Sequence, residues 1–388
     1  MEAPVEADLD AFRDEVCAFL DSALTPELRA QGAGQTGVFA PGPVGRAWHR
    51  VLFEKGWITP MWPLEFGGIG WTPLQRYVFE QECALAEAPT LSAAGLQMCG
   101  PILIHFGTPQ QQNFFLPRIR SGEHYWCQGY SEPGAGSDLA ALGCRARRDG
   151  DDYVVDGTKI WTTHAQYADW MFLLVRTSRH GPPQSGITFL LVDMSSPGIT
   201  IDPIVSMSGE HEVNQVFFDG VRVPAVNRVG DENAGWTVAK RLLEFERGGV
   251  HAPRVRRLLR RAERTARQTT GLWSDPDFQR RAAELAIEVD ALEAAEWRVL
   301  TNADSSSRLP SSGLLRVAGN ELLQRAGELA VEATGMSAIY AKDEDLQPTA
   351  QPAGALAMAR YLSDRAVTIY GGSSEIQRNL LARVILEF

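Results

Sequence analysis

The sequence predicts an α+β protein in which helices come first, a largely antiparallel sheet follows, and helices return. Apolar residues of 8–24 recur every three or four positions, as they do on one face of a helix. Short strand-like runs with turns between them fill 125–230. Helical spacing is clear again over 277–300. From these changes in character we predict three domains, 1–122, 123–232 and 233–388.

The first third is predicted to be helical, with helices over 8–24, 44–55 and 72–88. A further helix is expected to start at Thr108-Pro109-Gln110-Gln111, because a threonine before a proline and followed by a glutamine is typical of a capped helix start. The predicted role of this third is packing, together with one wall of a ligand pocket.

The middle third is predicted to form a small antiparallel barrel or sandwich. Its predicted strands are 153–155, 159–163, 170–175, 187–192, 199–205 and 215–218. Asp156-Gly157 and Asp219-Gly220 each stand between two strand-like runs, which is a strong signal for a two-residue hairpin turn. We therefore predict a hairpin at each of these two positions.

Helices are predicted again from Trp236 onward. One of them is strongly basic, and most of its arginines are expected to lie on a solvated face; they are Arg254, Arg256, Arg257, Arg260, Arg261, Arg264 and Arg267. A serine-rich loop is predicted over 303–312 and a helix over 313–333. Near the C-terminus, Ser374 and Gln377 match a capping box at the start of a last helix.

Composition excludes several classes of protein. The 388 residues carry a net charge of −11, which argues against nucleic acid as the main partner. The five cysteines are dispersed, which favours reduced thiols in the cytoplasm, and the histidines lack the spacing of a metal site, so no metal is predicted. No apolar run reaches the roughly 18 residues that a membrane span needs, so no membrane association is predicted.

The stretch 125–163 carries the clearest functional signal. Gly134 and Gly136 permit backbone conformations closed to other residues, and they let a ligand approach the main chain. Ser131 and Ser137 offer small hydroxyl groups, and Trp161 returns an aromatic ring close to the glycines. Together these residues suit a flat ring with polar edges that stacks on an aromatic side chain.

The ordered block Ser131-Glu132-Pro133-Gly134-Ala135-Gly136-Ser137-Asp138, followed by Trp161-Thr162-Thr163, resembles the flavin-binding signature of the acyl-CoA dehydrogenase family. The resemblance extends over nearly the whole chain. It implies an N-terminal helical domain, a middle antiparallel β-domain and a C-terminal four-helix bundle. It also implies FAD as cofactor and an acyl thioester of CoA or of acyl carrier protein as substrate.

The activity that the resemblance implies is α,β-dehydrogenation to the 2-enoyl thioester, with electrons passed to an electron-transfer flavoprotein. A dimer or tetramer is implied, either a homotetramer or a mixed assembly. The residues implied for FAD are Gln128, Tyr130, Ser131, Gly136, Ser137, Trp161, Thr163, Ser373 and Glu375. Those implied for the substrate are Ser137, Glu244, Arg247 and Gly372.

Dehydrogenation next to a thioester carbonyl requires a carboxylate base that is close to the substrate and partly desolvated. Many members of the family carry this glutamate in a Tyr-Glu-Gly-Thr sequence near the C-terminus. The matching sequence here is Tyr370-Gly371-Gly372-Ser373, in which Gly371 cannot serve as a base. The resemblance offers a second position, in the pair Glu246-Arg247. We therefore predict Glu246 as the base, with Glu244 as its competitor.

Two other functions remain open on the same fold. The chain lacks an Arg-x-x-Phe-Gly motif near 268–272 and a glycine-rich motif near 335, both of which the family often uses at the cross-subunit flavin contact. This difference favours a non-catalytic or flavin-sharing subunit of a heterotetramer. A flavin monooxygenase is the third possibility, and it would need no base at Glu246.

Overall fold

The computed structural model describes residues 3–247, 250–302, 308–339 and 353–385. The first part of the chain is helical, as predicted. Its helices are α1 (Ala3–Ala23), α2 (Pro26–Gly34), α3 (Gly42–Lys55), α4 (Pro73–Leu85), α5 (Gly100–Phe106) and α6 (Pro109–Ser121). A π-helical segment, Ala94–Cys99, runs directly into α5.

The predicted helix start at Thr108 is confirmed. The Thr108 hydroxyl accepts a hydrogen bond from the N–H of Gln111 at 3.2 Å, and the Gln111 side chain accepts one from the N–H of Thr108 at 3.0 Å. This reciprocal pair satisfies two N–H groups that the first turn of α6 would otherwise leave without partners. The amide of Gln111 also donates to the carbonyls of Val226 and Arg228, which attaches α6 to the middle of the chain.

The middle of the chain forms one sheet of eight strands. They are β1 (Trp126–Gly129), β2 (Arg145–Asp149), β3 (Asp152–Thr163), β4 (Trp170–Arg176), β5 (Ile187–Asp193), β6 (Ile199–Val205), β7 (His211–Pro224) and β8 (Arg228–Val229). The order is β6-β7-β3-β2-β4-β5-β8, with β1 paired to β4 in parallel and most other pairs antiparallel.

Strand β4 shows how the sheet is covered on both faces. Phe172 and Leu174 pack into the core shared with the N-terminal helices, whereas Met171, Leu173 and Val175 pack into the core on the opposite face. A strand that is buried on both faces has apolar residues at successive positions, and this explains the apolar run Met171–Val175 in β4.

The two predicted hairpins are wrong. Strand β3 runs without interruption through Asp156-Gly157, and β7 does the same through Asp219-Gly220. The register between them jumps from Val155–Val221 to Gly157–Phe218, so the two Asp-Gly pairs face each other in a β-bulge. The Asp156 carboxylate accepts a hydrogen bond from the N–H of Gly220 at 3.0 Å. A bulge of this kind needs a positive φ, here +61° at Gly220, just as a tight hairpin turn does.

The turn before β3 lies instead at Gly150-Asp151, between the paired residues Asp149 and Asp152. Gly150 has a φ of +63°, which is the left-handed conformation that favours glycine. This turn joins β2 to β3 and brings the end of the glycine-rich segment alongside β3.

The chain becomes helical again after β8. The helices are α7 (Gly235–Arg247), α8 (Ala252–Thr265), α9 (Pro276–Thr301), α10 (Arg308–Thr334), α11 (Ala353–Ser363) and α12 (Ser374–Ile385). Side chains of α8, α9 and α10 share one apolar core. Helix α10 begins at Arg308, so the second half of the loop predicted over 303–312 is helical. The first half, 303–307, lies outside the described residues.

The basic helix α8 is less exposed than its composition predicts. Arg260, Arg264 and Arg267 are exposed, but Arg254, Arg256, Arg257 and Arg261 are half-buried, so the prediction of a mostly solvated face is wrong. Acidic side chains from other elements compensate three of them: Asp364 pairs with Arg254, Asp290 and Glu293 with Arg256, and Glu87 with Arg261.

Within the described ranges, no helix is both long enough and apolar enough to span a membrane.

Candidate active site

The glycine-rich segment is attached to β3 by a buried ion pair. The Glu132 carboxylate accepts hydrogen bonds from the N–H groups of Gly143 and Cys144, at 2.6 and 2.9 Å. It also accepts one from Lys159 Nζ at 2.8 Å, and the same ammonium group donates to the carbonyl of Tyr130 at 3.0 Å. The Lys159 side chain is 0% exposed. A charged group that is buried away from water needs hydrogen-bond partners of this kind. Lys159 and Glu132 therefore hold the glycine-rich segment at its start, at Tyr130, and at its end, at Gly143 and Cys144.

Three of the predicted cofactor residues lie where this segment begins. Gln128 lies in β1, in parallel register with Phe172 of β4. Tyr130 is buried, with its ring edge-on to that of Phe172 at 5.8 Å between centroids. The carbonyl of Ser131 accepts a hydrogen bond from the N–H of Ile160 at 2.9 Å. The structure therefore brings 128–131 next to the strand that carries Trp161.

Gly134, Gly136 and Ser137 are exposed at the tip of the segment. Neither glycine has a positive φ, so neither uses the conformations that only glycine adopts readily. A Cβ atom added at either glycine would meet no atom within 4 Å. The main chain at Gly134 and Gly136 is therefore open to the approach of a ligand, as predicted.

Trp161 has an unusual conformation for a bulky residue. Its φ is +59° and its side chain is 59% exposed, although it stands between the buried residues Lys159 and Thr162. The register between β3 and β7 is irregular between Lys159 and Thr162. A positive φ on a large side chain costs free energy of order 1–3 kcal/mol, and such outliers cluster at functional sites. The strand is thus bent in a way that presents the indole ring outward.

The end of β3 carries a second residue with positive φ, His164, at +59°. Thr163 precedes it, half-buried and paired in register with Val213. Nδ1 of the buried His164 lies 2.7 Å from the Tyr125 hydroxyl, and burial raises the pKa of that hydroxyl to about 12. Tyr125 therefore stays protonated and can donate to a neutral imidazole.

Burial lowers the pKa of His164 to about 4, from an ordinary value of about 6.5. Because the pKa is lower in the folded state, the resulting stabilisation is complete above pH ~6.5 and is lost as the pH falls towards 4. We expect the wild type to lose about 3 kcal/mol of unfolding free energy over this range relative to His164→Asn, which keeps a residue that tolerates positive φ. Urea denaturation of both proteins at several pH values measures the difference, and parallel curves would contradict it.

The residues predicted for proton removal lie at the end of α7. Val238, Ala239 and Leu242 bury one face of this helix in the core that it shares with the sheet and the N-terminal helices. The main chain of Gly235 lies so close to β5 that a Cβ atom there would be 2.6 Å from the carbonyl carbon of Thr188. The beginning of α7 is therefore fixed against the sheet.

The main chain of α7 extends through Glu244, Glu246 and Arg247. The side chains of these three residues lie outside the described part of the structure. Their assignments as base and substrate ligands therefore stay predictions.

The C-terminal turn differs from the prediction in its capping. Ser373, not Ser374, caps α12: its hydroxyl accepts a hydrogen bond from the N–H of Ile376 at 3.3 Å. Gly371 and Gly372 precede it with φ values of +67° and +91°. Hydrogen bonds from its own backbone N–H and from the Ser373 hydroxyl lower the pKa of the exposed Glu375. The predicted box of Ser374 with Gln377 is wrong because the helix starts at Ser374 itself, one residue earlier than such a box requires.

Ser373, Glu375 and Gly372 lie together in this turn. The turn packs near α10, where the Arg316 guanidinium donates to the carbonyl of Tyr370 at 2.5 Å.

A cavity of about 400 Å³ lies between the N-terminal helices and the start of α8. This volume is within the usual range for a small-molecule site, about 300–1,000 Å³. Aromatic side chains form one wall, and residues that follow the end of α7 form part of the other. The lining includes Trp57, Trp62, Phe79, Val250, Pro253 and Arg257. Val250 is four residues after Glu246, so the cavity adjoins the predicted base along the chain.

Sequence reasoning missed Lys159, His164 and Arg257. Lys159 gave a usable signal, because it stands at an inward position of a strand-like run where a charge requires a buried partner. Positive φ at His164 and the absence of an acid next to Arg257 depend on contacts distant in sequence, so no local pattern indicated them.

The chain has three parts, helices, a sheet and helices again, with a fixed glycine-rich segment and an outward indole ring in the middle part. Family models for the acyl-CoA dehydrogenase N-terminal, middle and C-terminal domains match residues 6–123, 127–221 and 233–386. The chain belongs to the acyl-CoA dehydrogenase family. It is therefore an oxidoreductase of a flavin-dependent family that dehydrogenates acyl-CoA.

Individual relatives agree with this assignment. The chain is 37% identical to acyl-CoA dehydrogenase IpdE1 of Mycobacterium tuberculosis, covering 98% of this chain and 97% of the relative. A solved structure titled Tcur3481-Tcur3483 steroid ACAD matches with a TM-score of 0.86 and 29% identity over 98% of both chains. The ChsE4-ChsE5 complex from Mycobacterium tuberculosis matches with a TM-score of 0.83 and 31% identity, over 98% of this chain and 97% of that one.

Proposed function

We propose that this chain is an FAD-dependent acyl-CoA dehydrogenase that forms the 2-enoyl thioester with Glu246 as the base. Electrons leave to an electron-transfer flavoprotein, and the enzyme works in the cytoplasm. The observation that carries the proposal is the outward, strained Trp161 beside a glycine-rich segment fixed by a buried ion pair. We retain the domain boundaries at 122 and 232, which fall between α6 and β1 and between β8 and α7.

The residues around Trp161 fit FAD. An exposed indole offers a stacking surface for a flat ring, and the main chain at Gly134 and Gly136 is open to a diphosphate. In this proposal Gln128, Tyr130, Ser131 and Thr163 contact the ring, with Gly136 and Ser137 beside them and Ser373 and Glu375 completing the site. When bound, FAD supplies the acceptor for a hydride.

The other steps depend on side chains of this chain. Glu246 removes the proton from the carbon next to the thioester carbonyl, and burial of its carboxylate on ligand binding would make it more basic. Hydrogen-bond donors at the carbonyl oxygen would stabilise the developing negative charge there. Ser137, Glu244 and Arg247 hold the CoA part, and Gly372 leaves room for the thioester. The cavity between α8 and the aromatic wall receives the acyl group.

The test is an anaerobic titration of the purified protein with straight, branched and cyclic acyl-CoA thioesters and one acyl carrier protein thioester. Loss of the oxidised-flavin absorbance on substrate addition, with no reduced nicotinamide present, is the expected result. It would also exclude a monooxygenase, which needs an external reductant. Cyclic acyl groups belong in the panel because one matching structure is titled a steroid ACAD. A flavin that keeps its colour with every thioester would refute dehydrogenation by this chain.

A second candidate is a subunit of a mixed oligomer that shares or lacks its flavin. Two observations favour it: glycine stands at position 371, and one matching structure is titled as a complex of two different chains. Expression of the chain alone separates the two candidates. A yellow homo-oligomer supports the first, whereas a colourless protein that gains FAD only when a second chain is coexpressed supports the second.

A further inference from the structure

The cavity beside α8 is not uniformly apolar. Trp48, Trp57, Trp62 and Phe79 supply one wall, but Arg254 and Arg257 line the other. These two arginines are three residues apart on α8, so both face the same side of the helix. An aromatic cavity with guanidinium groups on one side suits a ligand that is apolar along its length and polar at one end.

Most of the arginines around the cavity already have partners. Arg254 pairs with Asp364 at 2.5 Å, and Arg261 pairs with Glu87. Arg360, on α11, donates to the carbonyls of Gln35 and Ala33. Each of these three arginines therefore has acceptors within the protein for its guanidinium N–H groups.

Arg257 differs from the others. Within the described ranges, no hydrogen bond or ion pair involves its guanidinium. Its pKa is lowered to about 10 by burial and by the neighbouring charge of Arg261. The guanidinium nevertheless remains charged at neutral pH. A partly buried cation without a partner destabilises the folded state, and a ligand that supplied an acceptor would remove this cost.

The local charge is also unbalanced. Arg254, Arg257, Arg261 and Arg360 contribute four positive charges, against the three carboxylates of Glu87, Glu212 and Asp364. An anion that reached Arg257 would therefore meet a net positive field.

The position of Arg257 fits the far end of an acyl chain. Val250 and Pro253 line the same cavity and lie between Glu246 and Arg257 in sequence. From Pro253 to Arg257 the helix rises about 6 Å, which is the length of several carbon–carbon bonds. An acyl group with its reacting carbons near the end of α7 would thus extend along α8 towards the guanidinium.

We propose that the acyl group of the substrate carries a carboxylate at the end remote from the thioester, and that Arg257 binds this carboxylate with support from Arg254. The site selects an ω-carboxyacyl thioester over a methyl-terminated acyl thioester of the same length. This inference rests on the proposed function for the position of the thioester, and Arg257 is here a specificity-determining residue. A planar guanidinium can bind a carboxylate through two parallel hydrogen bonds, which a lysine cannot.

The experiment compares hexanoyl-CoA with adipoyl-CoA, the monothioester of the corresponding dicarboxylic acid, using the purified holoenzyme. Calorimetry measures binding, and anaerobic flavin absorbance is recorded on the same samples. The wild type is expected to bind adipoyl-CoA about tenfold more tightly or better. Arg257→Gln should lose this preference and leave hexanoyl-CoA binding nearly unchanged. Arg257→Lys should retain part of it.

Arg260→Gln is the matched control, because Arg260 is exposed on the same helix, and it should keep the wild-type preference. Equal affinity of the wild type for both thioesters overturns the inference, whether or not any variant folds. So does a preference that survives in Arg257→Gln. Tight, selective binding without bleaching would refute the proposed dehydrogenation alone, whereas bleaching by both thioesters with equal affinity would refute carboxylate recognition alone.

Discussion

Replacing Glu246 with glutamine is expected to slow flavin reduction by acyl-CoA by about a thousandfold or more, while FAD stays bound. Glutamine keeps the size of the side chain and its hydrogen bonding but cannot accept the proton. Loss of a positioned general base typically costs between 10² and 10⁴ in rate. Stopped-flow measurement of the flavin absorbance under anaerobic conditions gives the rate, and the absorbance before mixing gives the FAD content.

Glu244→Gln is the matched control for this experiment. Glu244 is two residues away on the same helix, and positions two apart on a helix do not share a face. This variant should weaken substrate binding but leave the rate at saturating substrate within about tenfold of the wild type. A larger loss of rate in Glu244→Gln than in Glu246→Gln would reverse the assignment of the base. Full-rate reduction in Glu246→Gln would leave the proposed reaction without a base on α7.

Replacing Lys159 with methionine is expected to lower the free energy of unfolding by about 3–5 kcal/mol. Methionine fills a similar volume, but it leaves the Glu132 carboxylate, whose side chain is only 11% exposed, without its cation. Because Glu132 also holds the N–H groups of Gly143 and Cys144, FAD affinity should fall together with stability. Urea denaturation and the FAD content after purification measure the two effects.

An exposed pair on the neighbouring strands provides the comparison. Arg145 of β2 pairs with Asp156 of β3 at 3.4 Å, and the Arg145 side chain is 72% exposed. Solvent screens such a pair, so Arg145→Met should cost less than about 1 kcal/mol and should leave FAD content unchanged. The double change Lys159→Met with Glu132→Gln should recover part of the stability, because no unpaired charge then remains. Similar losses in Lys159→Met and Arg145→Met would contradict the role of the buried pair.

Local patterns predicted the helices and most strands well. The start of α6 at Thr108 and the strands from β4 to β6 follow from residues close together in the chain. The Asp-Gly pairs show the limit of this reasoning. A hairpin turn and a β-bulge require the same left-handed glycine, and only the pairing of β3 with β7, some 60 residues apart, decides between them.

The basic helix α8 shows a similar limit. Seven arginines within 14 residues indicate a solvated surface, yet four of them are half-buried. Acids in the turn after α4, on α9 and just after α11 pair with three of these four. The sequence predicted a ligand site at residues 128–137 and Trp161, and the structure attaches Ser131 and Glu132 to the strand that carries Trp161. The binding of a ligand there stays a prediction. The roles assigned to Glu244, Glu246 and Arg247 stay predictions because they depend on side chains beyond the described residues.

The π-helical segment Ala94–Cys99 has a consequence for how this family can diversify. The carbonyl of Leu96 accepts a hydrogen bond from the Trp62 indole at 2.8 Å, and Leu96, Gln97 and Trp62 all line the cavity. A π-helical turn contains about one more residue than an α-helical turn, so the loss of one residue here would restore α-helical spacing. The residues before the deletion would then rotate by about 100° about the helix axis relative to α5. The insertion or deletion of one codon would then reshape the cavity while every other residue stayed the same.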